Sequence, residues 1–218
     1  DAYRVHEPTS EEVRSILAIH ERIEFKALLS DESFLNLIHS IFLDSGYIHQ
    51  SRINFKVGKK STGWSWHSDF ETWHSQDGMI KPDCFSAMIP LVENTSENGC
   101  LKVISGSHKY YCSVKKTQST DSAIDNFKNQ TSGVPSGADI DKLLALTGRE
   151  TVEVTCSPGD LVIFDSNLMH SSSENTTDIM RVNLYLVMNS IHNKLTSPFS
   201  SKQPRPEEMG HRLNIKEL

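Results

Sequence analysis

The spacing of apolar residues changes once along the chain, near residue 46. Before that point Phe34, Leu35, Leu37, Ile38, Ile41, Phe42 and Leu43 recur at helical intervals, with Gly46 beyond them as a C-cap. Thr9-Ser10-Glu11-Glu12 has the composition of a helix start and predicts a further helix over 11–17. From Tyr47 the pattern alternates, and strands are predicted at 47–55, 85–91, 101–104, 151–154, 161–164 and 181–188. Gly, Pro, Asn and Ser clusters separate them. Helices first and many short strands afterwards predict a mainly β fold with flanking helices, built on a double-stranded β-helix (jelly-roll) core. The expected organisation is one unit over 1–218: helical 1–46, a core of about 47–190 and a C-terminal extension 191–218. The opening Asp1-Ala2-Tyr3 reads as the interior of a longer chain. A polar stretch at 113–140 interrupts the strands, and a loop of that length suits either an active-site lid or a plain excursion.

Composition narrows the function classes. A 37 % hydrophobic and 23 % charged chain is that of a soluble globular protein. A net charge of −6 gives no basic footprint for nucleic acid. No apolar run approaches the ~20 residues of a membrane helix. Cys84, Cys100, Cys112 and Cys156 show neither CxxC spacing nor a dense framework, so free thiols and a cytoplasmic setting are expected. The expected partner is a small molecule, with a homodimer as the candidate assembly.

The chemistry concentrates around Trp66-His67-Ser68-Asp69. On extended backbone, residues i and i+2 point to one face, so His67 and Asp69 can converge on one ion. A third ligand comes from His108 or His170. His170 is preferred, because it follows a Pro158-Gly159-Asp160 turn and the strand Leu161-Val162-Ile163-Phe164 that can carry it to the barrel mouth. Eleven residues on, Arg181 opens the next strand, and an antiparallel return brings it beside the metal. Two His and one Asp leave three positions of an iron ion open for a chelating co-substrate and oxygen. A buried Arg would pair bidentately with that co-substrate's far carboxylate, which describes 2-oxoglutarate. Zinc fits the same three ligands. Only Arg181 favours iron.

A longer set of residues makes the chain recognisable. Ile48-His49-Gln50-Ser51-Arg52-Ile53-Asn54, followed by Trp66-His67-Ser68-Asp69-Phe70-Glu71-Thr72-Trp73-His74, resembles the ectoine hydroxylases of the phytanoyl-CoA dioxygenase-like superfamily. Asp77-Gly78-Met79, Asn98-Gly99, Gly106-Ser107-His108-Lys109 and Pro204-Arg205-Pro206-Glu207 extend the likeness across 47–208. The resemblance implies an Fe(II)- and 2-oxoglutarate-dependent dioxygenase that uses O₂ to convert ectoine to 5-hydroxyectoine, releasing succinate and CO₂. It makes His67, Asp69 and His170 the iron ligands. It places Arg52, Asn54, Trp64, Ser86, Ser172 and Arg181 around 2-oxoglutarate, and Gln50, Thr72, Trp73, Phe164 and Arg205 around ectoine. Trp64 stands where the family usually has Phe, the segment from Asn54 to Trp64 is shorter than usual, and Ile80-Lys81-Pro82-Asp83 replaces a more usual Pro and basic run. Two rival readings remain open: the same chemistry on another small zwitterion such as an imino acid, and a non-catalytic ligand-binding jelly roll.

Overall fold

The computed structural model describes residues 3–114, 123, 127, 128, 130, 133–213 and 215–218. Ten strands are described: β1 Arg4–His6, β2 Val13–Leu17, β3 Gly46–Lys56, β4 Trp64–His67, β5 Cys84–Pro90, β6 Leu101–Ile104, β7 Thr151–Val154, β8 Val162–Asp165, β9 His170–Ser172 and β10 Arg181–Ser190. They form a six-stranded sheet, β1-β2-β3-β10-β5-β8, and a four-stranded sheet, β4-β9-β6-β7. Every described pairing is antiparallel. The α-helices that lie wholly within the described residues are α1 Lys26–Leu29, α2 Glu32–Phe42, α3 Asp69–Thr72 and α4 Gly137–Thr147. This is the expected jelly roll with flanking helices.

The long central pair, β3 against β10, sets the two faces of the larger sheet. Side chains alternate along a strand. On β10, Leu184, Leu186 and Met188 pack with Ile19, Phe34, Ile38, Ile48 and Phe85, so helix α2 covers that face. Tyr185 and Val187 instead join the clusters on the opposite, inter-sheet face, where Met88, Leu101 and Phe164 lie. The register places Arg181 opposite Lys56, Asn183 opposite Asn54, Tyr185 opposite Arg52 and Val187 opposite Gln50. All of these share the inter-sheet face. The next pair is Met188 with Ile48, so His49 is an extra residue, a β-bulge. The bulge keeps Ile48 in the helix-side core while Gln50 faces the cavity.

The helical expectation for the first 46 residues holds only from 26 to 42. Residues 4–6 and 13–17 are strands instead, added to the edge of β3. Pairing overrides the weak local cap signal there: Asn54 Nδ2 donates to Ser15 Oγ at 3.1 Å, and Arg14 forms a buried ion pair with Glu7 at 2.9 Å. Helix α2 starts where Asp31 accepts from the Phe34 N–H. It ends on Leu43 in a left-handed conformation (φ 56°), not on Gly46. Gly46 is needed for a different reason: a Cβ there would lie 2.8 Å from the Phe42 ring. In the polar stretch 113–140, residues 115–122, 124–126, 129 and 131–132 lie outside the described residues. Its end is helical, because Ser136 and Asp139 form a reciprocal capping box that opens α4.

The C-terminal segment is fastened to the core through Asp77, which is fully buried at the end of a π-helical turn, Trp73–Asp77. Arg205 grips its carboxylate with Nε at 3.0 Å and Nη2 at 2.5 Å. His49 Nε2 lies 3.2 Å from Oδ2, and Arg212 Nη2 donates to the Asp77 carbonyl at 3.3 Å. Burial acts to raise the Asp77 carboxyl, but Arg205 and His49 outweigh it and hold the group well below the usual carboxylate range.

Two stability changes are expected. Leu186→Ala, in the centre of the helix-side core, destabilises by about 2–5 kcal/mol in denaturant titration. Asp77→Asn leaves the buried Arg205 without its counter-charge and costs about 3–5 kcal/mol at neutral pH. Because the folded-state carboxyl is depressed, that difference is fully present above the ordinary value of 3.8 and shrinks as the pH falls below it. Paired urea melts of the two proteins across that range measure it.

Candidate metal centre and adjoining cavity

His67 and His170 are brought together by strand pairing, and Asp69 by a helix start. In the smaller sheet β4 runs beside β9, with His67 opposite His170 and Trp64 opposite Ser172. Extended backbone continues through Ser68 (φ −108°, ψ 138°), which caps α3 by accepting from the Glu71 N–H. Asp69 is therefore the first residue of a helix, a departure from the wholly extended His-x-Asp expectation. The turn still aims its carboxylate at both rings. Asp69 Oδ1 lies 3.8 Å from His67 Nε2, and Oδ2 lies 3.9 Å from His170 Nε2. The three residues can bring one ligand atom each to within 4.8 Å of the others. His108 lies elsewhere, on a 3-10 turn.

The protonation states suit a cation. His67 Nδ1 bonds the Ser65 carbonyl at 2.7 Å and His170 Nδ1 bonds the Leu168 carbonyl at 2.9 Å. A carbonyl only accepts, so both Nδ1 atoms carry the proton and both Nε2 lone pairs face inward. Burial, and then the neighbouring His170, push the His67 imidazole down to about 3. Burial alone would raise the Asp69 carboxyl, but His170, His67, Arg52 and Arg205 lower it. Two imidazoles with Nε2 facing inward and one carboxylate on one side of a shared point fit a non-haem iron(II) ion and leave its other side free.

Beside this centre is a cavity lined by Arg52, Asn54, Trp64, His67, Leu101, His170, Ser171, Ser172, Arg181 and Tyr185. Arg181 is buried, with Nη1 donating to the Gly99 carbonyl and Nη2 to Asn54 Oδ1 at 3.0 Å. Its Nε is buried without a hydrogen-bond partner, and so is Nε of Arg52. Among the described residues neither has a carboxylate partner, whereas buried Arg14 has Glu7 and Arg205 has Asp77. A third basic residue, Lys56, donates to Ser172 Oγ at 3.0 Å and to the Ser173 carbonyl. Burial, with Arg181 and Arg14, pushes its amine down to about 6. A buried Arg181 and a half-buried Arg52, neither with a carboxylate partner among the described residues, fit an anion, and the zinc reading offers no use for them.

A second cavity opens on the other side of His67 and Asp69. Gln50, Arg52, Trp64, Thr72, Trp73, Ala123, Phe127, Gln130 and Arg205 complete its lining. Gln50 Nε2 and Arg205 Nη2 both donate to the Met209 carbonyl, at 2.8 and 3.0 Å. Trp73 is braced edge-on by His49, at 5.2 Å between ring centres. Arg205 is largely committed to Asp77, so only its Nη1 is left uncommitted to these partners.

The expected residues thus divide between the two cavities, with two exceptions. Ser86, on β5, and Phe164, on β8 and 5.2 Å from the His170 ring, are buried and line neither one. Residues not anticipated include Tyr185 and Phe127, whose rings flank the Arg52 guanidinium at 4.9 and 5.4 Å. Tyr185 lies four residues after Arg181 on one strand, hence on the same face, and that parity was the available signal. Phe127 is the single aromatic of the polar 113–140 stretch. Asp77 gave no signal beyond its place in the Asp-Gly-Met run.

Comparison with known proteins agrees with this geometry. The profile of the phytanoyl-CoA dioxygenase family matches residues 4–183. The ectoine dioxygenase of Sphingopyxis alaskensis is 41 % identical over 203 residues, covering 93 % of this chain and 66 % of that protein. The ectoine dioxygenase of Stutzerimonas stutzeri is 37 % identical, covering 98 % and 70 %. The crystal structure of EctD from S. alaskensis with 2-oxoglutarate and 5-hydroxyectoine superposes with a TM-score of 0.84 at 38 % identity, over 97 % of this chain and 68 % of that one. The same enzyme with bound Fe gives 0.82. The chain spans about two thirds of the length of these relatives. The match over most of its residues shows that it belongs to the phytanoyl-CoA dioxygenase family, on its ectoine dioxygenase branch.

Proposed function

We propose that this chain hydroxylates ectoine to 5-hydroxyectoine, using iron(II), O₂ and 2-oxoglutarate and releasing succinate and CO₂. The observation that carries the reading is the paired cavity: the His67–Asp69–His170 set adjoins both a pocket holding the buried Arg181, which has no carboxylate partner among the described residues, and a pocket lined by Trp73 and Arg205. Iron(II), when held by the triad, supplies the activation of dioxygen that an unreactive C–H bond requires.

The side chains supply placement. Arg181, set by Asn54 and the Gly99 carbonyl, takes the far carboxylate of 2-oxoglutarate, with Ser172 beside it. The keto-acid end of the co-substrate is thereby directed toward His67 and His170. Ectoine is a small zwitterion with a cyclic amidinium and a carboxylate. Trp73 offers its ring face to the amidinium, a contact of roughly 0.5–2 kcal/mol. Arg205 takes the carboxylate, while Gln50 and Thr72 offer polar contacts. Trp64, which lines both pockets, packs edge to face against Phe127 of the second, at 5.5 Å between ring centres, and gives that side of the site an apolar wall. No side-chain general base is required. A soluble enzyme acting on a small metabolite in the cytoplasm accords with four free cysteines and with no described helix long and apolar enough to cross a membrane.

Mass spectrometry of the product after incubation with ectoine, iron(II), ascorbate and 2-oxoglutarate tests the reaction. A mass gain of one oxygen on ectoine is expected, and hydroxylation of proline in preference to ectoine would refute the substrate assignment. His67→Ala and Asp69→Ala should both abolish ectoine-dependent succinate formation. Arg181→Met should weaken 2-oxoglutarate binding by roughly 10–100-fold in titration calorimetry, since hydrogen bonds to charged groups contribute about 1.5–3 kcal/mol. Trp73→Ala should raise the KM for ectoine about tenfold and leave the KM for 2-oxoglutarate unchanged.

A further inference from the structure

We infer that His20, Glu21 and His211 form a second divalent-metal site, of the zinc type, that fastens the C-terminal segment to the turn after β2. His20 and Glu21 lie on the 3-10 turn Ile19–Glu21, which is set off by Ala18 in a left-handed conformation (φ 50°). His211 reaches them from the far end of the chain because its backbone N–H donates to the His49 carbonyl at 2.7 Å. The three side chains can each bring a ligand atom to within 4.8 Å of the others. Among the described residues only the His67–Asp69–His170 triad meets the same condition, and the two sets share no residue.

The surroundings of the three side chains are those of metal ligands. Metal-bound histidines characteristically have their second ring nitrogen held by a carboxylate, hydroxyl or carbonyl. His20 Nδ1 lies 2.6 Å from Ser51 Oγ, while His211 Nδ1 faces Glu207 Oε1 at 2.9 Å as an ion-pair contact without hydrogen-bond geometry. The ligating carboxylate is held as well: Tyr3 Oη donates to Glu21 Oε2 at 3.4 Å. With Nδ1 of His20 directed at Ser51, Nε2 is the atom left to coordinate. It is buried and has no hydrogen-bond partner. A buried imidazole nitrogen without a partner is costly unless something occupies its lone pair, and a metal does so.

The donor set also indicates which metal. Two imidazoles and a carboxylate hold zinc with a fourth position open to water. Zn²⁺ outcompetes Fe²⁺ at nitrogen and oxygen sites of this kind, so the two sites can carry different ions in one chain. The place of the site gives it a role. Ser51 lies between Gln50 and Arg52, and the Glu207–His211 stretch follows Arg205, so a bound ion ties together two segments that both wall the second cavity. It would be a staple, with no part in the oxygen chemistry.

Counting zinc decides the matter, because the iron triad also accepts zinc. In equilibrium dialysis with elemental analysis, the wild-type chain should bind two ions. His67→Ala and His211→Asn should each bind one, and the double variant none. His20→Gln should match His211→Asn and guards against a folding defect in one variant, with circular dichroism as the check. In the His67→Ala protein, zinc at a hundredfold excess over its Kd should raise Tm by roughly 5–10 °C. One ion in the wild type, lost in His67→Ala and retained in His211→Asn, would overturn the proposal. So would two ions in both His211→Asn and His20→Gln, or an unchanged Tm.

Discussion

The pairing of β3 with β10 is the constraint on which the rest of the molecule depends. Its register assigns every second side chain to one of two environments. One face is apolar and sealed by α2. The other gathers Gln50, Arg52, Asn54 and Lys56 from β3 with Arg181, Asn183 and Tyr185 from β10. A row so rich in cations and amides is a poor core, and its desolvation is a standing cost. The sheet tolerates it because burial of Leu184, Leu186, Met188 and their partners on the reverse face offsets that cost.

Charge on the cavity face is dealt with in three ways. Arg14 and Arg205 each have a buried carboxylate, in Glu7 and Asp77. Lys56 is disposed to shed its proton. Arg52 and Arg181 have neither remedy among the described residues, and both lie against the cavity that adjoins the triad. The folded chain therefore carries local positive charge that a dianionic co-substrate is suited to neutralise. The same logic separates the two arginines expected at the ligands: Arg181 is free for a carboxylate, while Arg205 serves Asp77 first.

How much of this was legible in the sequence depended on the range of the signal. Alternation and short apolar runs located β3, β5, β6, β7, β8 and β10, whether both faces are buried, as on β10, or largely exposed, as on β7. The triad and Arg181 were legible from spacing between strands. The N-terminal strands were not, since Arg14 and Ser15 are polar yet buried, and the partner of Ser15, Asn54, lies 39 residues away in sequence. The α3 start at Asp69 was hidden by the extended residues before it. Ser86 and Phe164 were drawn from family likeness, and their strand parity placed them on the right face without bringing them to a cavity wall. Phe127 was obscured by the polar residues around it.

The clamp on Asp77 has a consequence for how the protein is made. The residues proposed to hold the metal and the co-substrate all lie between residues 50 and 185, and can be in place once β10 has paired. The substrate wall waits for Arg205, which joins Asp77 from 128 residues further along the chain. In a folding molecule the triad and the first cavity can therefore form before the second cavity gains its Arg205 wall.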